Sequence, residues 1–339
     1  MPALKAPPVP RLGELLAGIA DAGAAANLPV EGLATDSRRL NPGEVFLACQ
    51  GHSHHALDHL DEALSRGASA VLWEPSPAWV EFPKSAAVVN VPVSALSQCL
   101  GPIASRYYDN PAQSMTVVGV TGTDGKTSVS QLLAQALDQE AAPCGVIGTL
   151  GCGRPGALIP GLHTTPDALT LQRTLAELRD AGARWISMEV SSHALDQGRV
   201  NGTAIDYAVL TNLSRDHLDY HGDMQSYAQA KRRLFEVPGL DTAILNIDDA
   251  FGREMVAQLR AQTRVLGYGL GDAAGLDCEA VLADRLEPGP RGLRARVRTP
   301  WGSGELESRL LGRFNLQNLL AVLTTLLAIG IELTEALLR

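Results

Sequence analysis

The chain has 339 residues, a formal net charge of -9, and is 45% hydrophobic and 19% charged. That length allows two or three domains of about 100–200 residues each, with apolar residues for more than one core. The acidic balance argues against a nucleic-acid or anionic-membrane surface, which needs a basic face, but leaves room for a phosphate-bearing ligand in a local positive pocket.

The start, "MPALKAPPVP", is Pro-rich and lacks the apolar stretch of a secretory signal; its first ten or so residues are expected to be disordered. Three short β-rich runs follow, "EVFLACQ", "ASAVLWE" and "AAVVNVP". Between the first two, "HALDHLDEALSRGA" puts Leu57, Leu60 and Leu64 on one helical face. "SALSQCLGPIASRYY" reads as a helix and "YDNPAQSM" as a linker with an Asn-Pro turn. The first domain boundary is therefore placed near residue 112, giving domains 1–112 and 113–339.

The second region alternates strands and helices. "MTVVGVTG" is a buried strand. "KTSVSQLLAQALDQE" is a helix, with Val129, Leu132, Leu133, Ala136 and Leu137 along one face. The helix "DALTLQRTLAELRDAG" and the strands "RWISMEV", "DYAVLTNL" and "DTAILNID" continue the alternation, which predicts a mostly parallel sheet covered by helices. Past residue 275, "GLRARVRTPWGSGELESRLLG" reads as an added antiparallel hairpin. The apolar run "LLAVLTTLLAIGI" falls short of the roughly 20 residues of a membrane span and reads as a buried helix. Cys49, Cys99, Cys144, Cys152 and Cys278 are odd in number and scattered, as incidental thiols of a reducing cytoplasm would be. The expected fold class is α/β: a small N-terminal α/β domain, then a P-loop-type central domain. The expected setting is cytoplasmic.

The chemistry starts in "VTGTDGKTS". Gly122 and Gly125 let a strand-to-helix turn curl so that its N–H groups converge on phosphate. Lys126 can reach outer phosphates and the Thr127 hydroxyl suits Mg²⁺. The usual spacing wants a glycine at Val120, five residues before Gly125. Other strand ends deliver polar groups to the same edge of a parallel sheet, where ligands bind: Glu189, then Asn212 with His217 beyond it, then Asn246, Asp248 and Asp249. Glu189 and His217 can serve a metal beside the phosphates, or be a strand-end ion-pair partner and a helix-capping or packed histidine. Lys231 in "SYAQAKRRLF" reads as part of a solvated basic face, indistinguishable from Arg232 and Arg233. Thr164 and Thr165 precede Pro166 and read either as a helix cap or as ligand contacts. Asp36, Ser37 and Arg38 read either as an anion site or as a surface loop with an Asx turn.

"TDSR", "VGVTGTDGKTS", "TTP", "MEVSSHALDQGRV", "TNLSRDHLDYHGDMQSYAQAKRRLF" and "GRFNLQN" together resemble the Mur ligases, in the family's order and over nearly the whole chain. "MEVSSHAL" and "NLSRDHLDYHG" point to the branch that adds the third amino acid of the peptidoglycan stem peptide. The resemblance implies an ATP-dependent amide ligase acting on UDP-MurNAc-L-Ala-D-Glu and diaminopimelate or lysine, through an acyl phosphate. It implies that Gly122, Thr123, Asp124, Gly125, Lys126, Thr127 and Ser128 cradle the phosphates and that Asn315 and Asn318 lie near the adenine. Thr127, Glu189, His217 and Lys231, the last as a carbamate, would serve Mg²⁺. Thr35, Ser37, His52, Ser53 and His54 would belong to uridine binding, although "GHSHHALDH" departs from the family's "GHxxDG". His163, Thr164, Thr165, Ser191, Gln197 and Arg199 would contact the muramoyl-dipeptide part; His163 stands where some relatives have Asn. The chain is further expected to be a monomer with neither nucleic-acid nor membrane partner, the latter two because its charge is acidic and no apolar run is long enough to span a membrane. Family members continue into a third domain, so the expectation is that this chain binds its UDP-substrate and ATP but ligates poorly alone. The other readings are a catalytically incomplete binding module of the same lineage and a folylpolyglutamate synthetase. "TDSR" disfavours the second, and ATP turnover dependent on the UDP-substrate separates an enzyme from a module.

Overall fold

The computed structural model describes residues 9–51, 54–289 and 292–339. The stretch expected to be disordered falls mainly on residues 1–8, outside the described residues. The chain divides into two compact units. The first holds residues up to Pro111 together with Asp167–Ala176 and Gln197–Thr203; the second holds Ala112–Pro166, Glu177–Asp196 and Ala204–Arg339.

The first unit contains α1 (Leu12–Leu16), β1 (Leu33–Ala34), β2 (Val45–Ala48), α2 (Leu60–Ser65), β3 (Ala70–Trp73), β4 (Val89–Pro92) and α3 (Leu96–Tyr107). The four strands form one parallel sheet in the order β1-β2-β3-β4. Side chains alternate across a strand, and the two faces feed two cores. Val45, Leu47, Ala70 and Leu72 pack with Leu12, Leu15, Leu16, Leu96 and Ile103 of α1 and α3. Phe46, Ala48, Val71 and Trp73 pack with Leu57, Leu60 and Ala63. The helix expected over "HALDHLDEALSRGA" is shorter than its pattern, because a 3-10 turn at Ala56–His59 precedes α2.

The second unit is one sheet with its helices. In chain order it comprises β5 (Thr116–Thr121), α4 (Lys126–Leu137), β6 (Cys144–Gly148), β7 (Gly151–Arg154) and β8 (Ala157–Ile159). After α5 (Ala168–Asp180), whose first turns fall in the first unit, come β9 (Trp185–Glu189), α6 (Ser192–Asp196), β10 (Tyr207–Leu210), α7 (Leu218–His221) and α8 (Met224–Arg232). Then follow β11 (Thr242–Asn246), α9 (Ala250–Leu259), β12 (Arg264–Gly269), β13 (Glu279–Gly289), β14 (Gly292–Thr299), β15 (Gly302–Ser308), α10 (Arg313–Ile329) and α11 (Leu333–Leu338). The sheet has 11 strands in the order β15-β14-β13-β12-β11-β10-β5-β9-β6-β7-β8. From β13 to β6 the pairing is parallel throughout, and antiparallel pairs finish both edges. The hairpin expected after residue 275 is thus a continuation of the central sheet.

Helices α4 and α10 share the main core. Val129, Leu133 and Leu137 meet Leu316, Leu320, Leu323 and Leu327 over Val118, Val120, Val146 and Val209 of the sheet. Thr324 and Thr325 lie inside α10 with no exposure, and each hydroxyl donates to the carbonyl four residues back, at 2.7 Å. The run read as a buried helix is α10, and among the described residues no helix is long and apolar enough to cross a membrane. Helix α4 stops at Leu137, three residues earlier than its pattern, because the Asp138 carboxylate accepts from the Cys144 N–H (3.0 Å) and the Arg154 guanidinium (2.9 Å).

The core strand β5 lies between β9 and β10, and the chain crosses from one side of it to the other. In a parallel sheet such a reversal leaves a crevice at the carboxyl ends of the strands. Asp249 ties that edge together. Its Oδ1 accepts from Phe251 N–H and Gly252 N–H as the cap of α9, and its Oδ2 accepts from Leu213 N–H at 3.0 Å. Asp249→Ala is expected to lower stability by about 1–2 kcal/mol in chemical denaturation, the range for a lost helix cap; a change within experimental error would contradict this role.

Candidate functional site

Between β5 and α4 the chain makes a loop only glycine allows. Gly122 has φ +148° and Gly125 has φ +82°. A side chain at Gly122 would collide with the Thr211 hydroxyl, and one at Gly125 with the Asn318 amide. The loop is therefore pressed against the end of β10 and the first turns of α10. Asp124 N–H donates to Asn212 Oδ1 (3.0 Å), and Asn212 Nδ2 donates back to the Asp124 carbonyl (3.1 Å). The Thr211 hydroxyl also donates to that carbonyl, at 2.6 Å. The Thr123 hydroxyl donates to Ser214 O and accepts from Ser214 N–H, and the phenol of the buried Tyr227 lies 3.2 Å from it. Ser128 is exposed on the first turn of α4.

Two ammonium groups converge on one carbonyl. Lys126 Nζ donates to Gly122 O and Thr123 O, each at 2.8 Å, and Lys231 Nζ donates to Gly122 O at 2.7 Å. Lys231 is 1% exposed, lying 4.4 Å from the centre of the Tyr227 ring. The solvated-face reading of Lys231 is corrected here: α8 turns Tyr227 and Lys231, one helical turn apart, into the protein. Burial first, and then the charge of Lys126, pull the Lys231 amine down from 10.5 to about 7. Burial also lowers Lys126, against the opposing pull of Glu189, Asp124 and Asp216.

On the other side of the loop, Glu189 ends β9 with no exposure. Its Oε2 accepts from the Thr127 hydroxyl (2.8 Å) and the Thr149 hydroxyl (3.1 Å), and its Oε1 accepts from Thr149 N–H (2.8 Å). Thr164 joins through Thr149, at 3.0 Å between hydroxyls. The Thr165 hydroxyl donates to the Glu189 carbonyl (2.8 Å) and accepts from Ser191 N–H (3.1 Å). Asp167 caps α5 instead, accepting from Thr170 N–H. The Ser191 hydroxyl accepts from Ala194 N–H at the start of α6. His163 is exposed.

His217 is exposed and holds φ +52°, at the N-terminus of α7. Its ring centre lies 5.0 Å from that of His193 and 6.1 Å from that of Tyr227, and its Nε2 lies 3.4 Å from Asp216 Oδ2. His221 Nε2 is 3.0 Å from the Ser192 hydroxyl, and burial lowers the affinity of this imidazole for its proton. Left-handed backbone at a non-glycine residue costs about 1 kcal/mol or more. His217→Gly is expected to raise the melting temperature by a few degrees; a lower one would show that the ring contacts outweigh the strain.

Of the expected metal-binding groups, Thr127 and Glu189 touch, Lys231 reaches the loop through Gly122, and His217 stands beyond Tyr227. Among the described residues no group of three or more His, Cys, Asp or Glu side chains converges on a point that could hold a metal. The donors that do meet, a hydroxyl and a buried carboxylate, are the oxygen chemistry of a hard cation such as Mg²⁺. Asn318 is 8% exposed against Gly125, while Asn315 is half-buried and donates to Leu311 O at 2.8 Å. Tyr227, Thr149 and Thr211 shape the loop's surroundings, and sequence reasoning missed all three. Only Tyr227 carried a signal, its spacing of four from Lys231.

In the first unit, Asp36 and Arg38 pair with each other at 2.9 Å, and Arg38 N–H donates to Asp36 Oδ1. The Asx turn is therefore present, and the Arg38 guanidinium is held by its neighbour. The hydrogen bond from the Arg38 guanidinium holds the Asp36 carboxyl below its ordinary value, although burial works against it. Ser37 is buried and donates to Glu62 Oε2 at 2.7 Å. Thr35 is exposed and lines a cleft with Asp36, Arg39, Asn41, Glu44 and Arg173. His52 and Ser53 lie outside the described residues; His54 is exposed. The buried imidazole is His55, whose Nδ1 accepts from Leu57 N–H and whose Nε2 lies 2.7 Å from Glu74 O. The guanidinium of Arg199 donates to Gln197 Oε1 at 2.9 Å.

Comparison with known proteins gives the lineage of this arrangement. The family described as "Mur ligase middle domain" matches residues 120–326, and "Mur ligase family, catalytic domain" matches residues 29–108. A UDP-N-acetylmuramoyl-L-alanyl-D-glutamate–2,6-diaminopimelate ligase of Alkalilimnicola ehrlichii is 53% identical, over 95% of this chain and 66% of its own length. A ligase of the same description from Ectopseudomonas mendocina is 51% identical, over 90% of this chain and 61% of its own. A solved structure of a ligase so named superposes with a TM-score of 0.83 at 32% identity, covering 97% of this chain and 66% of that one. The chain thus spans just under two thirds of the length of these relatives.

Proposed function

The chain belongs to the Mur ligase family, and from that premise we propose that it serves the ATP-dependent attachment of diaminopimelate to UDP-MurNAc-L-Ala-D-Glu in the cytoplasm of a bacterium. One observation carries the reading: Lys126, Lys231, Thr127 and Glu189 are gathered about a single glycine loop at the crevice of a parallel sheet. The relatives, ligases of UDP-N-acetylmuramoyl-L-alanyl-D-glutamate and 2,6-diaminopimelate by name, supply the substrates.

In the proposed reaction the γ-carboxylate of D-Glu attacks the γ-phosphate of ATP. ADP leaves and an acyl phosphate forms. The amine of diaminopimelate then displaces phosphate, giving the amide. Phosphoryl transfer of this kind depends on positioning and charge neutralisation more than on covalent chemistry by the protein. The loop N–H groups and the first turn of α4 would receive the β- and γ-phosphates. Lys126 would exchange its two carbonyl acceptors for phosphate oxygens. Glu189 orients the Thr127 hydroxyl through their 2.8 Å hydrogen bond. Mg²⁺ held by Thr127 and Glu189 would neutralise phosphate charge. Lys231, as a carbamate, would add two more oxygen donors, and His217 would close that side.

Calorimetric titration of this chain with UDP-MurNAc-L-Ala-D-Glu, and separately with a non-hydrolysable ATP analogue plus Mg²⁺, tests the reading. Saturable one-site binding of both is expected. Absence of binding to either would overturn it.

A further inference from the structure

We infer that Thr149 is a positioning residue that couples cation binding at Glu189 to recognition of a substrate carboxylate at Thr164; the inference rests on the function proposed above. Glu189 is fully buried, and both of its oxygens are held. Oε1 accepts from Thr149 N–H and is pressed against Gly148, where a Cβ would collide with it. Oε2 accepts two hydroxyls, those of Thr127 at 2.8 Å and Thr149 at 3.1 Å. A carboxylate oxygen offers about two lone-pair sites. Both sites of Oε2 are therefore taken, and a cation can use this oxygen only by displacing one of the two donors.

The acceptor fixes where the protons point. An ionised carboxylate only accepts, so the single hydroxyl proton of Thr149 is spent on Glu189. The Thr149 oxygen, 3.0 Å from that of Thr164, is then the acceptor of that pair, and Thr164 donates to it. With its proton so placed, Thr164 can offer a ligand lone pairs only. Thr164 is half-buried beside the exposed His163, so it is the end of this hydroxyl chain that a ligand meets. When Oε2 gives a lone pair to a cation shared with Thr127, the Thr149 hydroxyl loses its acceptor. It turns and donates to Thr164, whose own proton is freed. Thr164 changes from acceptor to donor, and only hydrogen bonds are exchanged. A carboxylate of the UDP-linked dipeptide is repelled by the first state and bound by the second. The two binding events thus favour the same hydroxyl arrangement, which makes each strengthen the other.

The test measures calorimetric affinity for UDP-MurNAc-L-Ala-D-Glu at saturating non-hydrolysable ATP analogue, once with Mg²⁺ and once with EDTA. In the unaltered chain Mg²⁺ is expected to tighten binding by about 5-fold or more. Thr149→Val keeps the backbone N–H and the side-chain shape but has no hydroxyl, so Thr164 holds its proton free in both conditions. It is expected to bind the substrate equally well with and without Mg²⁺, and in EDTA more tightly than the unaltered chain. Residue 149 in a merely structural role would give weaker binding instead. Thr149→Ser restores the Mg²⁺ dependence. Thr164→Val, at the half-buried end of the chain, removes the dependence as well, and decides the matter if the valine at 149 does not fold. Substrate binding by the unaltered chain that ignores Mg²⁺, or an undiminished Mg²⁺ dependence in either valine variant, would overturn the coupling role alone. Failure of the unaltered chain to bind either ligand would overturn the proposed function, and the coupling role with it.

Discussion

Lys231→Met is expected to stay folded, to gain about 1–3 kcal/mol of stability in carbon-dioxide-free buffer, and to lose a carbamate signal that the unaltered chain gives in isotopically labelled bicarbonate. The physical reason lies in what surrounds the amine. Lys231 is buried, shares the Gly122 carbonyl with Lys126, and has its proton affinity lowered to about 7. Methionine has similar length and brings no charge to desolvate, so removing a poorly compensated buried cation stabilises. The same environment leaves a share of the amine uncharged near neutral pH, and an uncharged amine attacks carbon dioxide. A C–N bond forms, one amine proton leaves to solvent, and the product carries one negative charge. Beside Lys126 that charge turns repulsion into attraction. Bicarbonate should therefore raise the melting temperature of the unaltered chain and leave that of Lys231→Met where it was. Carbon-13 NMR and thermal melts check both halves. A carbamate resonance of equal size in the variant would sink the assignment, and a variant less stable without bicarbonate would sink the account of burial.

Gly122→Ala is expected to cost more than any surface change in the chain, at least about 3 kcal/mol, and to weaken ADP binding by more than 100-fold. Two costs add. The backbone at φ +148° is closed to residues with a Cβ, and the new methyl would collide with the Thr211 hydroxyl, which itself holds the Asp124 carbonyl. Either the loop moves away from β10 or Thr211 gives up its hydrogen bond. Both displace the carbonyl on which the two lysines meet. Pairing Gly122→Ala with Thr211→Ala should relieve the collision and not the backbone strain, recovering stability in part. Denaturation and calorimetry decide the matter: a single variant that melts like the unaltered chain and binds ADP normally would refute the argument.

The strand, loop and helix from Thr116 to Leu137 were legible because three independent signals coincide there: a buried apolar run, glycines at a turn, and apolar residues at helical spacing. The polar strand ends were legible for a related reason, since parallel topology puts all carboxyl ends on one edge. Lys231 was not. It is the first of three consecutive cations, and which one turns inward depends on how α8 lies against α6 and the loop, a tertiary fact. Strands β6 to β8 were missed because "GVIGTLGCGRPGALI" is dense in glycine, which weakens every strand signal while the sheet still accepts the backbone. Thr165 was ambiguous because a threonine before Pro166 suits a cap, and only the fold brings the Glu189 carbonyl within 2.8 Å of it. Arg38 was ambiguous for the opposite reason, since Asp36 two residues before it satisfies it locally, whereas Ser37 finds its partner Glu62 25 residues along the chain.

The antiparallel pairs at the two margins of the sheet bear on colloidal behaviour. A wide open sheet presents backbone groups at each rim that another chain could extend, the usual route to aggregation. Here one rim is β8, only three residues long. The other is β15, whose sequence "GSGELES" places exposed Glu305 and Glu307 along the outer strand, with α11 packed beside it. A brief rim and an acidic one both discourage a further strand from docking. A sheet of 11 strands thereby carries its own protection at both rims.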